Sequence, residues 1–83
     1  MLTIDVKLIA TELAPGIESG TYNIEGGSTV RDIIEHCGAV SGTSVPEGNY
    51  EFMYPLFNSK PVTLGSTITE NGTLHVCRVV MGG

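Results

Sequence analysis

The residues best suited to do chemistry are the last ones. Gly82-Gly83 follow directly on Leu74-His75-Val76-Cys77-Arg78-Val79-Val80-Met81, a run that reads as a buried β-strand. Two glycines without Cβ atoms make a thin, conformationally free thread. The strand anchors that thread at one end, and a carboxylate closes the other. Such a thread fits a narrow active site where any side chain would clash, and its own carboxylate becomes the reacting group. Taken alone, the same pattern describes a frayed end or a boundary. It gains meaning when the remaining residues form a small domain that presents it.

The other chemistry-bearing side chains do not converge. His75 and Cys77 share one face of the last strand, opposite Leu74 and Val76, and two ligands fall short of the four that a structural zinc site takes. Cys37 falls on an apolar helical stripe and reads as a small buried hydrophobe rather than a reactive thiol. His36, adjacent to it, diverges by about 100° on a helix and completes no site. Gly26-Gly27 lacks the spacing of a phosphate loop. With no acid, base and nucleophile brought together, the chain reads as a module that other proteins handle rather than a self-contained enzyme, with no metal or cofactor of its own.

Bulk properties point the same way. At 83 residues there is room for one domain, residues 1–83, and for a modest core that buries about 60–65% of the unfolded surface. An enclosed cleft beside that core does not fit. The net charge is −5, with only Lys7, Arg31, Lys60 and Arg78 as cations. So acidic a chain repels phosphate backbones, which argues against nucleic acid and for a basic partner surface. Two lysines also argue against poly-modifier chains built on this protein. No stretch approaches the roughly 20 apolar residues of a membrane span, and the N-terminus shows no secretory pattern. A cytoplasmic location is therefore expected, with Cys37 and Cys77 as free thiols.

The elements that must position the tail follow from periodicity. Leu2, Ile4, Val6 and Leu8 alternate through Leu2–Ile9 as a half-buried strand. Thr11–Gly20 reads as a loop, and Gly20–Glu25 as a second strand broken by Gly26-Gly27. Thr29 is an N-cap answered by Asp32. Val30, Ile33, Ile34 and Cys37 form one apolar helical stripe, and Gly38 is expected to stop the helix. A polar loop then runs to Asn49. Tyr50–Phe57 is expected as a third strand, in which Pro55 marks a bulge, an irregularity or an unpaired side. Pro55 also leaves open which of Phe52, Tyr54 and Phe57 faces outward. Asn58-Ser59 turns into a short strand, Lys60–Val62, and Asn71-Gly72 turns into the last, Thr73–Val80. The predicted order is β-β-α-β-β-β. It is an α+β domain with a mixed sheet of four to five strands and one main helix packed on one face. Parallel pairing of the first and last strands at its centre would hold the base of a flexible tail, residues 79–83.

Three stretches then resemble a known family. Gly27-Ser28-Thr29-Val30-Arg31-Asp32-Ile33-Ile34 resembles the G-x-T-V-x-x-L-L lead into the helix of the sulfur-carrier proteins ThiS and MoaD. Leu56-Phe57-Asn58-Ser59-Lys60-Pro61-Val62 resembles their V-x-V-N-G-x-x-V hairpin. Glu70–Val76, followed by Arg78-Val79-Val80-Met81-Gly82-Gly83, resembles their last turn, strand and Gly-Gly end. Thr11-Glu12-Leu13 is similar to the R-E-L of MoaD-type chains. Asn71-Gly72 stands where Asp-Gly is usual, and the tail is closer to the ThiS-like and archaeal modifier-like members.

The resemblance implies the ubiquitin-like β-grasp fold and a carrier role. A ThiF/MoeB-type adenylyltransferase would use ATP to adenylate the Gly83 carboxylate. A sulfur donor would convert it to a thiocarboxylate, and a thiazole synthase or molybdopterin synthase large subunit would accept the sulfur. Gly82 would let the tail thread a tunnel. Val79, Val80 and Met81 would pack at its mouth, Arg78 at its rim, and His75 on a partner-facing sheet patch. Residues 79–83 fully extended would reach about 17 Å. Two other classes stand beside this one: a ubiquitin-like modifier conjugated through Gly83, and a β-grasp interaction domain with an incidental tail.

Overall fold

The computed structural model describes residues 1–80. In chain order it contains β1 (Leu2–Leu8), β2 (Gly20–Ile24), α1 (Val30–Ser41), β3 (Met53–Phe57), β4 (Lys60–Pro61) and β5 (Gly72–Arg78). Short 3-10 turns at Thr11–Leu13 and Glu47–Phe52 complete it. The five strands form one sheet in the order β2-β1-β5-β3-β4. β1 and β5 pair in parallel at its centre, Val6 beside Leu74 and Leu8 beside Val76. The other pairings are antiparallel.

The apolar stripe of α1 closes one face of this sheet. Val30, Ile33, Ile34 and Cys37 are all fully buried, together with Ile4, Val6, Leu74 and Val76. Burying this much aliphatic surface is the main favourable term in folding. No buried side-chain polar atom among the described residues lacks a partner.

The start of α1 follows the expected capping box. The Asp32 N–H donates to Thr29 Oγ1 at 3.1 Å, and the Thr29 N–H donates to Asp32 Oδ2 at 3.0 Å. The Val30 and Arg31 N–H groups, which a helix cannot satisfy internally, donate to the carbonyls of Ser66 and Leu64. The connection before β5 is thereby bound to the helix. Thr29→Ala is expected to cost about 1 kcal/mol, whereas Thr29→Ser should cost little. Urea denaturation of the two variants side by side checks this.

The end of α1 corrects one expectation. Gly38 does not stop the helix; it lies inside it, buried. The cap is Gly42, in the left-handed region at φ 78°, and the Thr43 N–H donates back to the Gly38 carbonyl at 2.9 Å. A Cβ on Gly38 would meet the Thr43 carbonyl oxygen at 2.9 Å. This glycine therefore answers a close approach of backbone, and the Schellman-type closure is made one turn later.

The third strand is shorter than its aromatic content suggests. Residues Glu47–Phe52 form a 3-10 turn, and only Met53–Phe57 joins the sheet. Asn49 Nδ2 donates to the Leu13 carbonyl at 3.0 Å. Tyr50 is buried beneath the Arg31 guanidinium, 4.2 Å from its ring centroid. Tyr50 thus serves the core from a turn rather than from a strand. Pro55 makes no bulge: its pairing with Val76 keeps the β3–β5 register regular. Its carbonyl accepts from the Val62 N–H, so its missing N–H falls on the outer side, where β4 has ended. At the Asn58-Ser59 turn both residues have positive φ, 51° and 69°, the geometry of a type I′ hairpin. Asn58 Oδ1 ties this turn to the Thr73 N–H.

Candidate functional site

The chain leaves the sheet from its central strand. β5 is bonded on both sides, by β1 and by β3. Beyond its last paired residue, Arg78, the Val79 N–H donates to the Phe52 carbonyl at 2.8 Å. Val79 is half-buried and belongs with the sheet rather than with a free tail, so the base of the tail moves one residue along from the expected boundary. Val80 is 89% exposed. Met81, Gly82 and Gly83, three of the expected site residues, lie outside the described residues.

Arg78 is held from two sides. Nη1 lies 3.4 Å from Glu12 Oε1, and the guanidinium carbon lies 5.6 Å from the Phe52 ring centroid. Both members of the ion pair are about half exposed, so it contributes little to stability. Its value is positional: the Thr11–Leu13 turn and the Glu47–Phe52 turn bracket the point where the chain departs. Glu12 is 66 residues away in sequence, and only the fold brings it to Arg78.

His75 and Cys77 share the face of the sheet opposite α1, as the alternation of β5 requires. Leu74 and Val76 are fully buried on the other face, while His75 and Cys77 are half-buried. Register sets Leu56 and Lys7 beside His75, and Tyr54 beside Cys77. Tyr54 is 45% exposed, whereas Phe57 is buried and Phe52 is packed against the core. Of the three aromatics Pro55 left open, Tyr54 is the one on the open face. Ile9, 61% exposed, extends this patch. Asp5 and Lys7 are the only charged residues that β1, β3 and β5 turn to this face. Sequence reasoning passed over Leu56, Ile9 and Lys7 because their common row depends on pairings between distant strands. His75 and Cys77 recruit no third ligand, and no group of three or more His, Cys, Asp or Glu residues forms a metal site among the described residues.

The two thiols are in opposite situations. Burial pushes Cys37 up to about 11, because a thiolate among Val30, Ile33 and Ile34 would lose its hydration. Cys37 therefore remains a thiol at neutral pH and up to about pH 11. Brief alkylation at pH 8 is expected to label Cys77 and spare Cys37 until the protein is unfolded. Peptide mapping by mass spectrometry reads both sites.

The cations are largely committed. Arg31 bonds Glu35 at 2.8 Å and Glu47 at 2.5 Å, which holds Glu47 below the usual carboxylate range. Arg78 is paired with Glu12. Among the described residues no helix is long and apolar enough to cross a membrane.

Two solved structures share this fold. SAMP1 from Haloferax volcanii superposes with a TM-score of 0.64 at 23% identity, over 98% of this chain and 99% of that one. A putative molybdopterin converting factor, subunit 1, from Pyrococcus furiosus superposes with a TM-score of 0.65 at 19% identity, over 96% and 100%. The chain has the ubiquitin-like β-grasp fold. At these identities the likeness is one of fold. No family model matches the sequence, and no curated protein matches it. In β-grasp terms, the site is the end of the central strand, bracketed by Glu12 and Phe52, with the His75–Tyr54 patch on the sheet face beside it.

Proposed function

We propose that this protein is a sulfur carrier whose Gly83 carboxylate is the reacting group. The observation that carries the reading is the exit of the chain from a doubly paired central strand, fixed as far as Val79 and followed in sequence by Val80-Met81-Gly82-Gly83. Its likeness in fold to a putative molybdopterin converting factor subunit supports the same reading.

The chemistry divides between this chain and its partners. A carboxylate resists substitution because oxide is a hopeless leaving group. A ThiF/MoeB-type adenylyltransferase would hold ATP while a Gly83 carboxylate oxygen attacks the α-phosphorus and expels pyrophosphate. The acyl-adenylate then has AMP as its leaving group. Sulfide attacking the carbonyl carbon expels AMP and leaves a thiocarboxylate. A persulfide donor gives an acyl disulfide first, and a thiol must then reduce it. The thiocarboxylate is ionised at neutral pH, and its soft sulfur is a nucleophile toward an acceptor held by a synthase subunit of the thiazole or molybdopterin type. The carrier supplies no general base. Gly82 and Gly83 supply slenderness, Val79, Val80 and Met81 the contact at the tunnel mouth, and Arg78 and His75 the rim and face. Such a carrier works where ATP is at hand, in the cytoplasm.

Intact mass spectrometry tests this after incubation with ATP, the host's adenylyltransferase and a sulfide source. A mass gain equal to replacement of one oxygen by sulfur is expected. An adenylate that passes to lysines instead of sulfide would replace the carrier reading with a modifier reading, in line with the fold likeness to SAMP1. No covalent change with a competent enzyme would leave an interaction domain.

A further inference from the structure

The two edges of the sheet are built differently. β4 forms one edge and is two residues long, Lys60-Pro61. Short length, a lysine and a proline are the usual defences of an open edge. β2 forms the other edge and has none of them. Its five residues, Gly20-Thr21-Tyr22-Asn23-Ile24, carry no charge and no proline, and they pair with β1 in unbroken register from Val6–Gly20 to Leu2–Ile24.

Alternation shows which groups this edge presents. The Ile9 N–H points to β5, where it meets the Val76 carbonyl, and the Leu8 N–H points the opposite way, to Ser19 Oγ. Even-numbered residues of β1 therefore face β2. Their partners Gly20, Tyr22 and Ile24 turn their main-chain groups inward. Thr21 and Asn23 are left with N–H and C=O directed outward, and their side chains are exposed. Beside this edge, between β2 and the first turns of α1, lies an open cleft of about 310 Å³ lined by Met1, Asn23, Ile24, Glu25, Ser28, Asp32 and His36. Glu25 has no ion pair among the described residues, and Asp32 spends Oδ2 on the Thr29 N–H.

We propose that the β2 edge is a docking site for an extended, basic segment of a partner protein, which adds to the sheet as a sixth strand. Main-chain bonds to Thr21 and Asn23 would fix its register. A lysine or arginine in it would reach the cleft and meet Glu25 and the free oxygen of Asp32. Charge selects this occupant over a second copy. Antiparallel self-pairing through β2 would bring Glu25 of each copy toward Glu18 of the other. Parallel pairing would set Glu25 against Glu25 and Glu18 against Glu18. Both arrangements join two chains of net charge −5. A basic strand relieves the same carboxylates. The site lies on the opposite side of β1 from β5 and does not depend on the reading of Gly83.

The test uses the full chain and a capped peptide of about eight residues alternating valine and lysine, a typical strand length. Amide chemical shifts are followed during titration at low salt. Shifts centred on Ser19–Glu25 and on the cleft are expected, with slowed hydrogen exchange at Thr21 and Asn23. Thr21→Pro removes an outward N–H and no bond to β1, so the fold should persist while binding weakens roughly tenfold. Glu25→Lys should weaken the lysine peptide and strengthen a valine–glutamate one. Shifts on the His75–Tyr54 face instead, undiminished binding to Thr21→Pro, or no binding of the lysine peptide would each overturn the proposal. So would a concentration-dependent dimer through β2 in sedimentation.

Discussion

Leu74→Ala is expected to cost about 3–5 kcal/mol, the range for a leucine removed from a core that cannot collapse around the gap. Leu74 is fully buried, and register sets it between Val6 on β1 and Phe57 on β3. The cavity would open where the β1–β5 and β3–β5 pairings meet, with α1 packed above. A domain of 83 residues has a total stability of roughly 4–12 kcal/mol at typical values per residue. The substitution therefore removes about a quarter of the stability at least and exceeds it at worst, leaving the protein unfolded. With a slope of about 1 kcal/mol/M in urea, the unfolding midpoint should fall by about 3 M or the native baseline should vanish. His75→Ala, one residue along on the open face, is expected to cost less than about 1 kcal/mol. Equal losses at the two positions would mean that β5 is covered on both faces.

Removing Gly82 and Gly83 should have the opposite profile. The anchor of the strand ends with the Val79–Phe52 hydrogen bond, so the melting temperature is expected to stay within about 3 °C of the parent. Under the carrier reading, the truncated protein should release no pyrophosphate and gain no sulfur, because its terminal residue, Met81, presents a carboxylate flanked by a side chain and two residues short of the activating site. Its affinity for the activating enzyme should survive in part through the sheet face around His75, Cys77 and Tyr54. Pyrophosphate release assays and intact mass spectrometry read the first effect, and competition against the parent chain reads the second. Sulfur loading of the truncated chain would remove Gly83 as the reacting residue. A full loss of melting stability would show that the last residues are structural.

What was legible in the sequence was whatever a local pattern encodes. The stripe Val30, Ile33, Ile34, Cys37 gave α1 and its buried face, since a 3.6-residue period leaves no other way to bury those side chains. Thr29 and Asp32 marked its start. Period-two alternation in β1 and β5 assigned Leu74 and Val76 to the core and His75 and Cys77 to the opposite face before any pairing was known. Local patterns misled where one residue type answers two needs. Gly38 looked like a stop but is a packing contact with Thr43, and the stop is Gly42. Tyr50 and Phe52 looked like strand residues, but Pro46 and the Asn49–Leu13 bond hold them in a 3-10 turn.

The sequence by itself determined the elements, the faces they bury and the Gly-Gly run that follows the last strand. Only the tertiary structure decided which faces and edges are shared. Register between distant strands set Tyr54, rather than Phe57, on the open face beside Cys77. It brought Glu12 to Arg78 and Phe52 to Val79, and it left β2 and β4 at the two edges of the sheet. The physical reason is range. Periodicity and capping are satisfied within one or two turns of chain, so neighbouring residues encode them. Pairing of β1 with β5 joins residues almost seventy positions apart, and it is decided by how all the apolar faces close on one core at once.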